Sequence, residues 1–144
     1  MALPGLPMTY LRRILWGVTV AYWATLFVFT HLPPKDLPHV EVNDKFEHFF
    51  AYGLLSGMMG VTLWAAFPTR RWVSWLPLVI VAGAAAYGAF DELTQPLTHR
   101  NCDIHDWFAD CSGAFVAAVV LFALQRAFGA TVSARLTASP APST

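Results

Sequence analysis

Charge is what this chain has least of. Asp, Glu, Lys and Arg make up 12% of its 144 residues, and soluble domains carry about twice that share. Mean hydropathy is +0.49. An ordinary water-soluble domain is thereby excluded. The basic residues are few and dispersed, which disfavours nucleic-acid binding, since a nucleic-acid surface needs them clustered. No nucleotide-binding glycine loop, no HExxH metal motif and no internal repeat is evident. Cysteine is nearly absent, with only Cys102 and Cys111. On one helix their separation would be about 13 Å, past the roughly 7 Å that a disulfide tolerates. Both read as small unpaired residues.

Apolar residues, 56% of the chain, fill the space that charge leaves. Four runs approach or exceed the length needed to cross about 30 Å of hydrocarbon: Leu11–Thr30, Phe46–Phe67, Trp72–Phe90 and Trp107–Phe128. Pro77 lies near the start of the third, where a membrane helix tolerates it. The first run is longer than a signal-peptide core and no small-x-small cleavage site follows it, so it reads as a retained anchor. The fold expected is an all-α membrane protein, a four-transmembrane-helix bundle with both termini cytoplasmic. Three parts follow: an irregular N-terminal cytoplasmic segment (1–10), a transmembrane domain (11–128) and a disordered cytoplasmic tail (129–144) rich in Ala, Ser, Thr and Pro.

Formal net charge is zero, which hides a segregation. With the amino end inside, Arg12, Arg13, Arg70, Arg71, Arg126 and Arg135 fall inside, and Lys35, Lys45 and Arg100 fall outside. The positive-inside rule sets that orientation. All acidic residues and all histidines then lie outside or at the outer helix ends. Trp64, Trp72 and Trp75 cluster at the inner loop, as an interfacial belt does. A multi-pass protein of the bacterial inner membrane is the expected location.

Polar residues recur at helical spacing near the outer ends. Asp44, His48 and Tyr52 stand four apart, with Lys45 and Glu47 beside them. Tyr87, Asp91 and Gln95 do the same, with Glu92 next to the Gly88 stripe. Asp103, Asp106 and Asp110 share a face that continues as Gly113, Ala114 and Ala117. Gly53-x-x-x-Gly57 and Ser56-x-x-x-Gly60 are close-packing signatures. Pro33, Pro34 and Pro38 disfavour a helix in the first outer loop, Asn43 or Asp44 is placed to cap the second span, and Pro96 stops the third. The three sets converge on one pocket. Ionisable groups in membrane helices are functional candidates by default; the plainer reading is a polar cap that fixes helix positions. Crowded carboxylates need relief. Lys45 and Arg100 as counter-ions, a divalent cation held by Asp and His, or retained protons would each supply it, and spacing does not choose. His31, His39, His99 and His105 read as loop histidines, whereas His48 stands in register with Asp44 and Tyr52.

This pattern resembles the VanZ-like family of small bacterial membrane proteins, named after an accessory protein of glycopeptide resistance that lowers sensitivity to teicoplanin. The resemblance rests on Asp44-Lys45, His48 and Tyr52; on Asp91-Glu92 and Gln95; and on Arg100, Asp103, Asp106 and Asp110-Cys111-Ser112-Gly113. It covers roughly residues 10–128. The family position at Asp110 is often Asn, and the acid here favours a cation or proton-linked site. The resemblance implies an outward polar site acting at the cell envelope, without defining a reaction. Two readings follow. In the first, Lys45, Tyr52, Glu92, Gln95, Arg100, Asp103, Asp106 and Asp110 bind a lipid-linked or cell-wall precursor headgroup, or a glycopeptide-type antibiotic. In the second, the chain is an enzyme on a lipid phosphate or headgroup, with His48 as nucleophile or base, Asp44 orienting it, Asp91 assisting and a divalent metal held by the acids. Ion-coupled transport is disfavoured, because no ionisable residue continues down the inner halves.

Overall fold

A computed structural model describes residues 7–33 and 43–137. Four helices account for nearly all of it: α1 (Met8–His31), α2 (Asp44–Ala66), α3 (Arg70–Thr94) and α4 (Ile104–Thr137). A 3-10 turn, Gln95–Thr98, follows α3. Each helix is long and apolar enough to cross a bilayer, and there is no strand among the described residues. The all-helical, four-span architecture is therefore as the sequence indicates.

Local chemistry sets the ends. Asn43 caps α2, its side chain accepting from Lys45 N at 3.0 Å. Asp44 and Glu47 occupy the first turn, where negative charge meets the positive end of the helix dipole. Beyond Thr94 the chain tightens into the 3-10 turn, with Pro96 near its start. His99 then takes a left-handed conformation, φ 64°, and the chain reverses toward α4.

Two boundaries differ from the sequence expectation. α1 begins at Met8, inside the segment read as irregular. α4 passes Phe128 and continues to Thr137, so 129–137 is helical rather than a disordered tail. No proline interrupts it before Pro140, and its Ala, Arg and Leu residues are good helix formers. The rest of the tail and most of the first loop, with Lys35 and His39, lie outside the described residues.

The tightest packing joins α2 to α4. A Cβ added at Gly113 would collide with the Phe49 carbonyl oxygen, and one added at Gly53 would lie 3.3 Å from the Gly113 carbonyl oxygen. Glycine at both positions lets two backbones touch. Gly113→Ala is expected to lower stability in detergent by about 1–3 kcal/mol, the usual cost of overpacking. At Gly57 an added methyl meets nothing within 4 Å, so Gly57→Ala should melt near the wild type. Equal thermal midpoints for the two variants would count against this helix contact.

Deeper in the bundle Trp64, Leu76, Ile80 and Leu121 form a buried cluster, and Leu26, Tyr52 and Leu55 form another. α1 is tied to α2 by a buried Thr19–Thr62 hydroxyl pair at 2.9 Å and by Tyr22 Oη donating to Ala51 O at 3.2 Å. Outward faces carry large apolar side chains such as Val18, Phe50, Leu78 and Phe115, which in a membrane meet lipid.

Candidate functional site

One end of the bundle gathers the C-terminal ends of α1 and α3 and the N-terminal ends of α2 and α4. Among the described residues, the polar candidates of α2, α3 and α4 lie at this end, and most of them fall into two networks.

The first network joins α2, α3 and α4. Lys45 Nζ donates to Asp103 Oδ2 at 2.8 Å and to Asp106 Oδ1 at 2.6 Å. Asp103 sits just before α4. The Lys45 ammonium, then the His105 backbone and ring, hold its carboxyl well below the usual carboxylate range. A carboxyl lowered in this way adds stability above its unfolded value and loses it only as pH falls through the folded one, so the pair stays intact at neutral pH. Glu92 Oε2 accepts from Asp103 N at 2.8 Å. His48 Nδ1 and Asp110 Oδ1 are hydrogen-bonded at 2.9 Å. Asp110 can approach because of Gly88, where a Cβ would lie 2.9 Å from Asp110 Oδ2. The His48, Tyr52 and Tyr87 rings stack beneath, with centroids 6.3 and 5.6 Å apart.

The second network ties α1 to α3. Asp91 is fully buried. Its Oδ1 accepts from Thr30 Oγ1 at 2.9 Å and lies 3.6 Å from His31 Nδ1. Gln95 Nε2 donates to Oδ2 at 3.5 Å. His31 Nδ1 also lies 2.9 Å from Phe27 O, and Nε2 lies 2.9 Å from Thr94 Oγ1. Asp91 thus bonds across to α1, and Gln95 bonds back to Asp91 one turn earlier.

Three sequence expectations change in detail. The hydrogen-bond partner of His48 is Asp110 on another helix, not Asp44 on its own. Arg100 makes no ion pair among the described residues; it donates to Phe29 O at 3.5 Å and so is not the counter-ion of the acids. His31 is the last residue of α1 and is bonded to α3, not a loop histidine. The sequence reading omitted Thr30 and His31 from the site altogether. Their signal was two polar residues closing an apolar run at the level where the other helices turn polar.

Between α1 and α2 lies a cavity of about 250 Å³, walled by Thr30, Asp44, Glu47, His48, Tyr52 and Arg100 among others. An apolar groove of about 690 Å³ uses α1, α2 and α4, with Phe50, Leu54 and Met58 among its walls. Cys102 and Cys111 are both free thiols.

Four apolar spans with a buried polar cluster at one end define a multi-pass helical membrane protein. A family model described as VanZ/LLP1 matches residues 6–125. The chain belongs to that family. No curated protein and no solved structure matches it.

Proposed function

We propose that this protein acts at the outer face of the bacterial cell membrane, binding the headgroup of a lipid-linked cell-wall precursor. The observation that carries the reading is the placing of the polar cavity against α2. Glu47 and Ala51 wall the cavity, and Phe50 and Leu54, next along the same helix, wall the apolar groove. A headgroup and an acyl chain would need that order. Lys45 is occupied by Asp103 and Asp106, so Arg100 is the cation that the cavity offers to phosphate or carboxylate. Asp44 and Glu47 suit sugar hydroxyls or an ammonium group. An amphiphilic glycopeptide presents the same mixture and is the other ligand of this reading.

Arg100→Ala should weaken binding of a lipid-linked precursor by about 10- to 100-fold, the worth of a hydrogen bond to a charged group, with protein level unchanged. Photo-crosslinking in bilayer nanodiscs measures it. Equal labelling of wild type and variant would refute headgroup recognition here and favour a polar cap without a ligand.

A second reading, an enzyme on a lipid phosphate, is favoured by the buried His48–Asp110 pair. With Nδ1 held by the carboxylate, a neutral imidazole carries its lone pair on Nε2, the arrangement of a general base. Lipid-phosphate turnover that survives His48→Ala would remove it.

A further inference from the structure

Two buried carboxylate oxygens have no hydrogen-bond partner: Glu92 Oε1 and Asp110 Oδ2. Their residues are 3% and 0% exposed, and His48, between them in the cluster, is 6% exposed. Each of the three offers one ligand atom, and these atoms all lie within 4.8 Å of one another. We propose that His48, Glu92 and Asp110, one from each of α2, α3 and α4, form a binding site for a divalent first-row metal ion such as Mn²⁺ or Zn²⁺.

An acidic cluster alone would not support this. The unpartnered oxygens do, because a buried polar atom without a partner costs free energy that some ligand must recover. Neither neighbouring cation reaches these oxygens: Lys45 is committed to Asp103 and Asp106, and Arg100 lines the α1–α2 cavity instead. A proton shared between the two acids would satisfy their oxygens without engaging the imidazole. A divalent ion would engage all three side chains, and metal titration distinguishes the two. The opposite oxygen of Glu92 is already fixed by Asp103 N, a group outside the trio. Second contacts of this kind orient metal ligands.

The donor set names the class of ion. One imidazole nitrogen and two carboxylate oxygens, with no thiolate, suit Mn²⁺, Fe²⁺ or Zn²⁺ better than a soft ion. Ligand atoms around such an ion stand roughly 3–3.5 Å apart, so binding draws the side chains together. Three protein ligands leave a coordination position for water or for an oxygen of a bound molecule. A second trio, Asp44, His48 and Asp106, is as compact. It is the weaker candidate because Asp44 is exposed and Asp106 already accepts from Lys45.

The test reads the ion itself and does not depend on the headgroup reading. Full-length protein in detergent is stripped with chelator, then titrated separately with Mn²⁺ alone and Zn²⁺ alone. The expected result is about one equivalent retained per chain after desalting, with an imidazole nitrogen coupling in the Mn²⁺ spin-echo spectrum. Loss of an outer-shell partner commonly costs about 10–100-fold in metal affinity. Loss of a ligand through Glu92→Gln or Asp110→Asn should therefore cost at least about 100-fold. His99→Asn removes an exposed histidine outside the trio, in a left-handed conformation that Asn tolerates, and should change nothing. Arg100→Ala should also retain the ion, which separates this test from the crosslinking one. Wild-type protein that retains neither ion, or an adventitious ion only, held equally by Glu92→Gln and Asp110→Asn, overturns the proposal. If those variants do not fold, the nitrogen coupling in wild type decides, and its absence also overturns it.

Discussion

Asp91→Ala should lose about 1–3 kcal/mol of stability, the cost of leaving a buried hydrogen-bonding group without its partner. The carboxylate is fully buried and holds Thr30, His31 and Gln95 at once. Its loss strands the Gln95 donor, leaves the Thr30 hydroxyl only its Phe27 carbonyl, and removes a clasp between α1 and α3. Domains are stable by only about 5–15 kcal/mol, so accumulation in the membrane should fall with the thermal midpoint. Asp91→Asn keeps an acceptor for Thr30 and should cost much less. These contacts give Asp91 a part in holding α1 to α3, beside the assisting role that the enzyme reading proposes for it. Were Asp91→Ala to accumulate and melt as the wild type does, the α1–α3 clasp would be wrong.

The second large effect concerns His48 and Asp110. Removing the histidine leaves Asp110 buried with both oxygens unpartnered, and removing the aspartate leaves Nδ1 without its acceptor. Each alanine substitution should cost about 3–5 kcal/mol in chelator-treated protein, mostly through the group left behind. The double variant strands neither. It should therefore cost about 2–3 kcal/mol less than the sum of the singles, at the upper end of couplings between contacting residues. A double-mutant cycle on unfolding in detergent measures this. Additivity within about 0.5 kcal/mol would mean that the two side chains do not interact.

Helix number, the approximate spans and the shared level of the polar residues were all legible in the sequence. Hydropathy and charge report depth, and depth is what the bilayer enforces. Close packing was legible at Gly53 and Gly113, whereas Gly57 of the same signature faces open space, since spacing does not say which side of a helix meets a neighbour. Partner choice was not. Helical spacing orders side chains along one helix but says nothing about which neighbour they face. His48 stands in register with Asp44 yet bonds across to Asp110, and Lys45 reaches two acids on the far side of the chain. α1 was underread for a related reason. Thr30 and His31 have no polar companion one turn earlier, so no stripe marks them, and their role exists only once Asp91 is set opposite.

α4 has 34 residues, about 51 Å at the usual rise, against about 30 Å of hydrocarbon. The surplus lies at the end remote from His48 and Asp110. A thicker or thinner bilayer can thus be matched by tilt or by sliding that spare length through the far interface. The polar end would then keep its depth as lipid composition changes, as a float holds its waterline while its keel is lengthened.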